Sequence, residues 1–163
     1  MKFRWVLIFT LLMCSIVFAE TKEVDENKIL SRSILNYGDN SMLKNVFLRA
    51  QKGQKIVVSV IGGSITEGAA ASKVENRYGN RIAKWWRETF PKAEIEFINA
   101  GIGATSSDMG CHRVQKHLMI HNPDFIICEY AVNDSDNDII PETMEGLVRQ
   151  MLEAPKNPAV LML

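Results

Sequence analysis

The stretch KIVVSVIGGSITEG, residues 55–68, decides the fold of this chain. Its first half is a run of β-branched residues with little polar alternation, which predicts a strand buried on both faces, as in a parallel sheet covered by helices. The run stops at Gly62-Gly63, where the backbone can turn sharply, and Ser64 follows directly. Because open α/β sheets place their ligands at the carboxyl ends of their strands, we expect the chemistry near Ser64.

The rest of the chain alternates helical and strand patterns around this strand. Helical spacing of apolar residues predicts four helices, over Met42 to Gln51, Asn76 to Phe90, Ser107 to His121 and Pro141 to Ala154. Short apolar runs predict three further strands, over Glu94 to Ala100, Asp124 to Val132 and Ala159 to Leu163. The alternation predicts a three-layer α/β/α sandwich with a parallel, flavodoxin-like, doubly wound sheet. Since the sequence stops inside the last strand pattern, we expect a domain truncated there, from a longer protein.

Length and composition limit the classes of function. A chain of 163 residues, 47% hydrophobic and 23% charged, fits one globular domain with a substantial core. Its formal net charge of +0 favours neither nucleic acid nor an anionic membrane as a partner.

The N-terminus has the pattern of a secretory signal. Lys2 and Arg4 precede an apolar run from Trp5 to Phe18, and the small residue Ala19 suits cleavage before Glu20. The run is shorter than the ~20 apolar residues that a spanning helix needs, so we expect no stable membrane insertion after cleavage. A lipoprotein signal ending at Cys14 is the alternative. We therefore predict a signal peptide over residues 1–19, a polar and mobile lead-in over 20–39, and the domain over 40–163.

Two cysteines follow the predicted signal. Cys111 and Cys128 could pair in an exported protein. Cys128 lies in an apolar strand pattern, however, where a free buried thiol is equally ordinary.

Three predicted strand ends deliver polar groups to one edge of the sheet. These are Ser64, the turn Gly103-Ala104-Thr105, and the pair Asn133-Asp134. Acyl transfer requires a nucleophilic hydroxyl and hydrogen-bond donors for the oxyanion that forms when it attacks a carbonyl. Ser64 could supply the hydroxyl, the turn a backbone N–H, and Asn133 a side-chain amide.

These segments resemble the sequence blocks of the SGNH, or GDSL, hydrolases. The stretch from Gly62 to Thr66 resembles their first block, Asn99 to Thr105 their second, and Ala131 to Asp134 their third. Order and separation match as well. Gly63 stands where the first block usually has Asp, and Ala131 stands where the third usually has Gly.

The resemblance implies a serine esterase that removes small acyl groups, such as acetyl, with acylated carbohydrate as one substrate class, and the predicted signal peptide implies that it is secreted. It implies Ser64 as the nucleophile, with oxyanion donors from the Ser64 N–H, the N–H of Gly103 or Ala104, and the Asn133 side chain. It implies neither a cofactor nor a metal ion.

A serine hydroxyl also needs a base to accept its proton. The family takes this base from a late Asp-x-x-His block, which is absent here and is expected beyond Leu163, so we predict that residues 1–163 alone are inactive. His117 and His121 share a helical face but lack the third ligand of a metal site. His112 is a weaker candidate for a substrate contact. The acidic segment Asp134 to Asp138 imitates the start of a calcium loop but lacks its glycine.

Two other classes of function stay open. Gly62-Gly63-Ser64 before a helix could cradle a phosphate, as in a flavodoxin-like nucleotide-binding module, although Gly-x-Gly-x-x-Gly and the Walker pattern are absent. A non-catalytic carbohydrate-binding relative is the other possibility.

Overall fold

The computed structural model describes residues 25–33, 36, 38–135 and 138–163, and the chain divides into two units, Met1–Tyr37 and Gly38–Leu163. In the first unit, helix α1 spans Glu26–Ser33, within the stretch expected to be a mobile lead-in. Asp25 explains the difference, because its carboxylate accepts a hydrogen bond from the Lys28 N–H and caps the first turn. The predicted signal peptide lies outside the described residues, and the predicted domain boundaries stay predictions.

The second unit is built on a four-stranded sheet in which every pairing is parallel. Its strands are β1 (Ile56–Gly62), β2 (Ile95–Gly101), β3 (Phe125–Glu129) and β4 (Ala159–Met162), in the order β2-β1-β3-β4. All seven residues of β1 are buried, as its apolar run, interrupted only by Ser59, predicts. The predicted α/β fold with a parallel, flavodoxin-like strand order is therefore confirmed.

Helices cover both faces of the sheet. They are α2 (Ser41–Gln51), α3 (Ser64–Glu67), α4 (Tyr78–Thr89), α5 (Ser107–His117) and α6 (Ile139–Leu152), with 3-10 turns at Val74–Asn76 and Met119–His121. Side chains of α2 and α4 form one core with the sheet, and side chains of α5 and α6 form the other. Among the described residues, we find no helix with the length and apolar character needed to span a bilayer.

Aromatic packing dominates the core under α2 and α4. Trp86 and Phe90 are buried, and both rings contact Phe47. Trp85 departs from the predicted apolar stripe, because 49% of its surface is exposed. Successive helical positions point about 100° apart, so only one of the two tryptophans can face the sheet.

A buried carboxylate organises the amino edge of the sheet. Asp124 lies just before β3 and forms ion pairs with Arg49 (2.5 Å) and Lys156 (2.8 Å). It also accepts a hydrogen bond from the Val57 N–H at 2.7 Å. This cluster ties α2, β1 and the segment before β4 together at the edge opposite Ser64.

Candidate active site

The strand register aligns the ends that carry the candidate residues. Gly62 pairs with Gly101 on one side and with Glu129 on the other. Ser64 begins α3 two residues beyond Gly62, and its side chain is half-buried. Because β1 lies between β2 and β3, the chain leaves β1 at the topological switch point of the sheet, where α/β proteins bind ligands.

The structure brings the three predicted elements into contact. A Cβ atom on Gly63 would lie 2.8 Å from Asn133 Oδ1 and 3.1 Å from the Thr105 carbonyl oxygen. A Cβ atom on Gly103 would lie 3.9 Å from Ser64 Cβ. The hydroxyl, the turn and the amide therefore lie around one point at the carboxyl edge. Their catalytic roles stay predictions.

Gly63 explains one departure from the family pattern. Any side chain at this position would place its first carbon closer to Asn133 Oδ1 than van der Waals contact allows. Asn133 therefore occupies space that an aspartate at position 63 would need.

The second-block turn has an unusual backbone. Ala104 has φ +55°, in the left-handed region that costs a residue with a Cβ atom about 1–2 kcal/mol. Strain of this kind is held in place by the surrounding structure and clusters at functional sites. Gly103 and Ala104 both remain candidates for the backbone donor.

A hydrogen-bond relay anchors α3 beneath Ser64. The Thr66 hydroxyl is fully buried and donates to the Glu129 carboxylate at 3.2 Å. Since a hydroxyl has one hydrogen, the Tyr78 O–H must donate in the 2.9 Å contact with Thr66. Burial raises the pKa of Tyr78 to about 12, which keeps this donor protonated. The relay fixes the helix that carries Ser64.

Other motif residues form hydrogen bonds that hold the loops around the candidate site. The Asn99 side chain donates to the Thr66 carbonyl (2.9 Å) and accepts from the Gly101 N–H (2.8 Å), so it joins β2 to α3. Asp134 accepts from the Ser107 N–H at 2.8 Å and caps α5. Strand β3 ends sooner than predicted because the Tyr130 carbonyl accepts the N–H groups of Asn133 and Asp134 in a turn.

Two of the three histidines lie away from the candidate site. His117 ends α5 and His121 precedes β3, so both lie toward the amino edge, opposite Ser64. His112 is an exposed residue of α5. Within residues 25–33, 36, 38–135 and 138–163, no three metal-ligating side chains cluster together. Cys111 and Cys128 are both free thiols.

Sequence reasoning missed the buried charged residues behind the site. Glu129 is 7% exposed and Arg113 is 6% exposed. A carboxylate within an apolar strand pattern is a usable signal for Glu129, since such groups are rarely buried without partners. Arg113 lies on an otherwise polar helix and gives no such signal.

Comparison with known proteins finds solved structures of esterases that are similar to this chain. No protein-family model and no curated protein sequence matches it. The crystal structure of a two-domain esterase (CEX) active on acetylated mannans, co-crystallised with mannopentaose, matches with 42% identity and a TM-score of 0.77. That match covers 78% of this chain and 35% of the esterase. The chain thus spans about a third of that relative's length.

More distant structures share the fold. Axe2, an acetylxylan esterase from Geobacillus stearothermophilus, is 17% identical with a TM-score of 0.53, over 66% of this chain and 58% of its own. BT4096, a gut microbial diltiazem-metabolizing enzyme, is 20% identical with a TM-score of 0.55, over 67% of this chain and 26% of its own. The hydrolase fold and the resemblance predicted from the three sequence blocks are confirmed.

Proposed function

We propose that the full-length protein is a serine esterase that removes small acyl groups, acetyl above all, from carbohydrate, because the chain combines a parallel α/β fold with three segments that resemble the SGNH blocks. The esterase active on acetylated mannans, which matches this chain with 42% identity, supports both the ester bond and the sugar. Acetylated mannan is therefore the first polysaccharide to test.

One observation carries the proposal. Ser64, Gly103 and Asn133 come from three separate strand ends, yet Asn133 lies against Gly63, and a Cβ atom on Gly103 would lie 3.9 Å from Ser64 Cβ. A buried core does not require a hydroxyl, a strained turn and an amide at the same point. Acyl transfer requires a nucleophilic hydroxyl together with hydrogen-bond donors aimed at the developing oxyanion, which the turn and the amide could supply.

The mechanism follows from these groups. Ser64 Oγ forms a bond to the acyl carbon while its proton passes to a histidine base. The carbonyl oxygen becomes an oxyanion, which the Ser64 N–H, the N–H of Gly103 or Ala104, and the Asn133 amide stabilise. The bond from the acyl carbon to the sugar oxygen then breaks, and the sugar leaves with the proton. Water hydrolyses the acyl-enzyme in a second, equivalent step.

The base is proposed to lie outside residues 1–163, in an Asp-x-x-His block as in the family. His117 and His121 are unsuitable because they lie at the opposite edge of the sheet. The proposal therefore concerns the full-length protein.

A serine-reactive phosphonate tests the nucleophile directly. We expect one adduct on full-length protein, mapped by peptide mass to Ser64, and release of acetate from acetylated mannan and from 4-nitrophenyl acetate. Ser64→Ala should abolish both the adduct and the release of acetate. Ser72→Ala, which removes an exposed loop hydroxyl, is the matched control and should change neither.

Folded full-length protein that forms no adduct and releases no acetate would refute the esterase proposal. Binding of acetylated mannan without turnover would then favour the carbohydrate-binding alternative. Heat on titration with nucleotides would favour the phosphate-binding alternative.

We also propose that the protein is exported, with cleavage after Ala19. The basic start and apolar run of residues 2–19 support this proposal. Mature protein that begins at Glu20 in the secreted fraction is the expected result, and an uncleaved intracellular chain would contradict it.

A further inference from the structure

A buried arginine lies directly behind the candidate site. Arg113 belongs to α5, and only 6% of its surface is exposed. Its NH1 group donates to the Ala100 carbonyl at 2.6 Å. Its NH2 group donates to the Gly62 carbonyl at 3.0 Å and to the Tyr130 hydroxyl at 2.8 Å. One guanidinium thus contacts the end regions of β1 and β2 and the residue that follows β3.

Each of these contacts adjoins an element of the candidate site. Gly62 directly precedes Gly63-Ser64, and Ala100 precedes the turn that contains Gly103 and Ala104. Tyr130 begins the turn that carries Asn133, since its carbonyl accepts the Asn133 N–H at 2.9 Å. The nucleophile, the backbone donor and the amide donor proposed above therefore each follow a residue that hydrogen-bonds to the Arg113 guanidinium.

Burial of the Arg113 charge destabilises the folded state. Within the part of the chain that the structure describes, no carboxylate lies within 4.0 Å of Arg113, and its buried Nε atom makes no hydrogen bond. A buried charge with incomplete partners costs free energy. Arg49 shows the contrasting, structural use of arginine, because it forms an ion pair with Asp124 at the opposite edge.

We propose that Arg113 is a positioning residue for acyl transfer, which sets the spacing between the nucleophile, the backbone donor and the Asn133 amide. This inference rests on the proposed esterase function. The planar, five-donor guanidinium suits the task because it can bridge several acceptors at fixed geometry. Its loss lets the strand ends shift, and a displacement of about 1 Å can cost a catalytic site roughly 100-fold in rate.

The test uses the full-length protein with Arg113→Ala and Arg113→Lys, assayed on 4-nitrophenyl acetate and by the rate of phosphonate addition to Ser64. We expect Arg113→Ala to lower kcat and the labelling rate by roughly 100-fold, with KM changed by less than about twofold. Arg113→Lys keeps the positive charge but loses the planar set of five donors, so we expect an intermediate, roughly tenfold loss of kcat and labelling rate. Added guanidinium ion at millimolar concentration should restore part of the kcat of Arg113→Ala but not alter the wild type.

Arg49→Ala is the matched control. It removes an arginine that contacts the far edge of the sheet, so it should lower the unfolding midpoint while leaving kcat unchanged. If Arg113→Ala does not fold, the Arg113→Lys variant still decides the question through its kcat and labelling rate.

Unchanged kcat in a folded Arg113 variant would overturn the inference. So would equal losses of kcat in the Arg49 and Arg113 variants, because these would indicate a general effect of destabilisation. Failure of the esterase function itself looks different, since wild-type protein would then form no phosphonate adduct and release no acetate.

Discussion

Asn133 Oδ1 lies only 2.8 Å from the position that a Cβ atom on Gly63 would occupy. The residue before the candidate nucleophile and the candidate oxyanion donor therefore share one space, although they are far apart in sequence. Whatever occupies position 63 sets where the Asn133 amide can lie.

This contact predicts coupled effects on catalysis. Asn133→Ala should lower kcat by about 10²–10³-fold, because it removes the proposed side-chain donor to the oxyanion. Gly63→Ala should also lower kcat, by roughly tenfold or more, because the new methyl group displaces Asn133. Steady-state kinetics on 4-nitrophenyl acetate measure both.

The control is the double variant that combines Gly63→Ala with Asn133→Ala. If Gly63→Ala acts through Asn133, it should cost little more in the Asn133→Ala background. Fully additive losses would show that the methyl group acts elsewhere in the site.

The Thr66 relay predicts a loss of stability. Thr66→Val keeps the side-chain shape but leaves the buried Glu129 carboxylate and the Tyr78 hydroxyl without this partner. An unsatisfied buried group costs about 1–3 kcal/mol, so urea unfolding should show a decrease of that size. Tyr78→Phe removes one hydrogen bond and should cost less, about 1 kcal/mol. Thr66→Val protein as stable as wild type would contradict the relay.

The ion-pair cluster around Asp124 predicts a larger loss of stability than the Thr66 relay does. Asp124→Asn removes the charge that partners Arg49 and Lys156 while keeping the side-chain size. Breaking a buried ion pair costs about 3–5 kcal/mol, and the partial exposure of Arg49 and Lys156 favours the lower value. Chemical denaturation measures the change. Glu145→Gln, which alters an exposed pair with Arg149, should lie within about 0.5 kcal/mol of wild type.

Buried acidic groups predict a loss of stability in alkali. Burial raises the pKa of Cys128 from 9.0 to about 12, and the pKa values of Tyr78 and Tyr130 from 10.0 to about 12. The unfolded chain therefore releases these protons at lower pH than the folded chain does. By linkage, the free energy of unfolding should fall as the pH rises from about 9 to 12.

Denaturation midpoints across that pH range test this expectation. Cys128→Ala should make the decrease shallower, because it removes one of the three groups. In native protein at pH 8, iodoacetamide should modify the half-buried Cys111 far faster than Cys128, which has no exposed surface. Rapid native modification of Cys128 would contradict its burial.

Sequence patterns specified the sheet and its long helices well. The apolar run of β1 and the periodicity of α4 extend over enough residues to identify each element. Helix α3 was missed because its four residues, Ser64–Glu67, are too short to show a period. Helix α1 was missed because it depends on one cap at Asp25.

The residue types of the candidate site could be predicted from the sequence, but the residues that hold them in position could not. Ser64 and Asn133 follow strand ends, so their convergence follows from parallel topology alone. The support from Arg113 could not be predicted, because a charged residue on a polar helix is ordinarily placed in water. Only the folded structure shows that this guanidinium contacts Gly62, Ala100 and Tyr130.

The central position of β1 also has a consequence for biosynthesis. This strand is the first of the sheet to leave the ribosome, yet its neighbours are β2 and β3, and Gly62 gains its second partner only with Glu129. Until then a mostly apolar strand has an open edge, the condition under which nascent chains associate with one another. Long-range pairing of this kind also slows folding, because loop closure must precede the contacts that reward it. The strand that leads to the candidate nucleophile is therefore synthesised early but gains its second neighbour late, and it most needs protection from association in between.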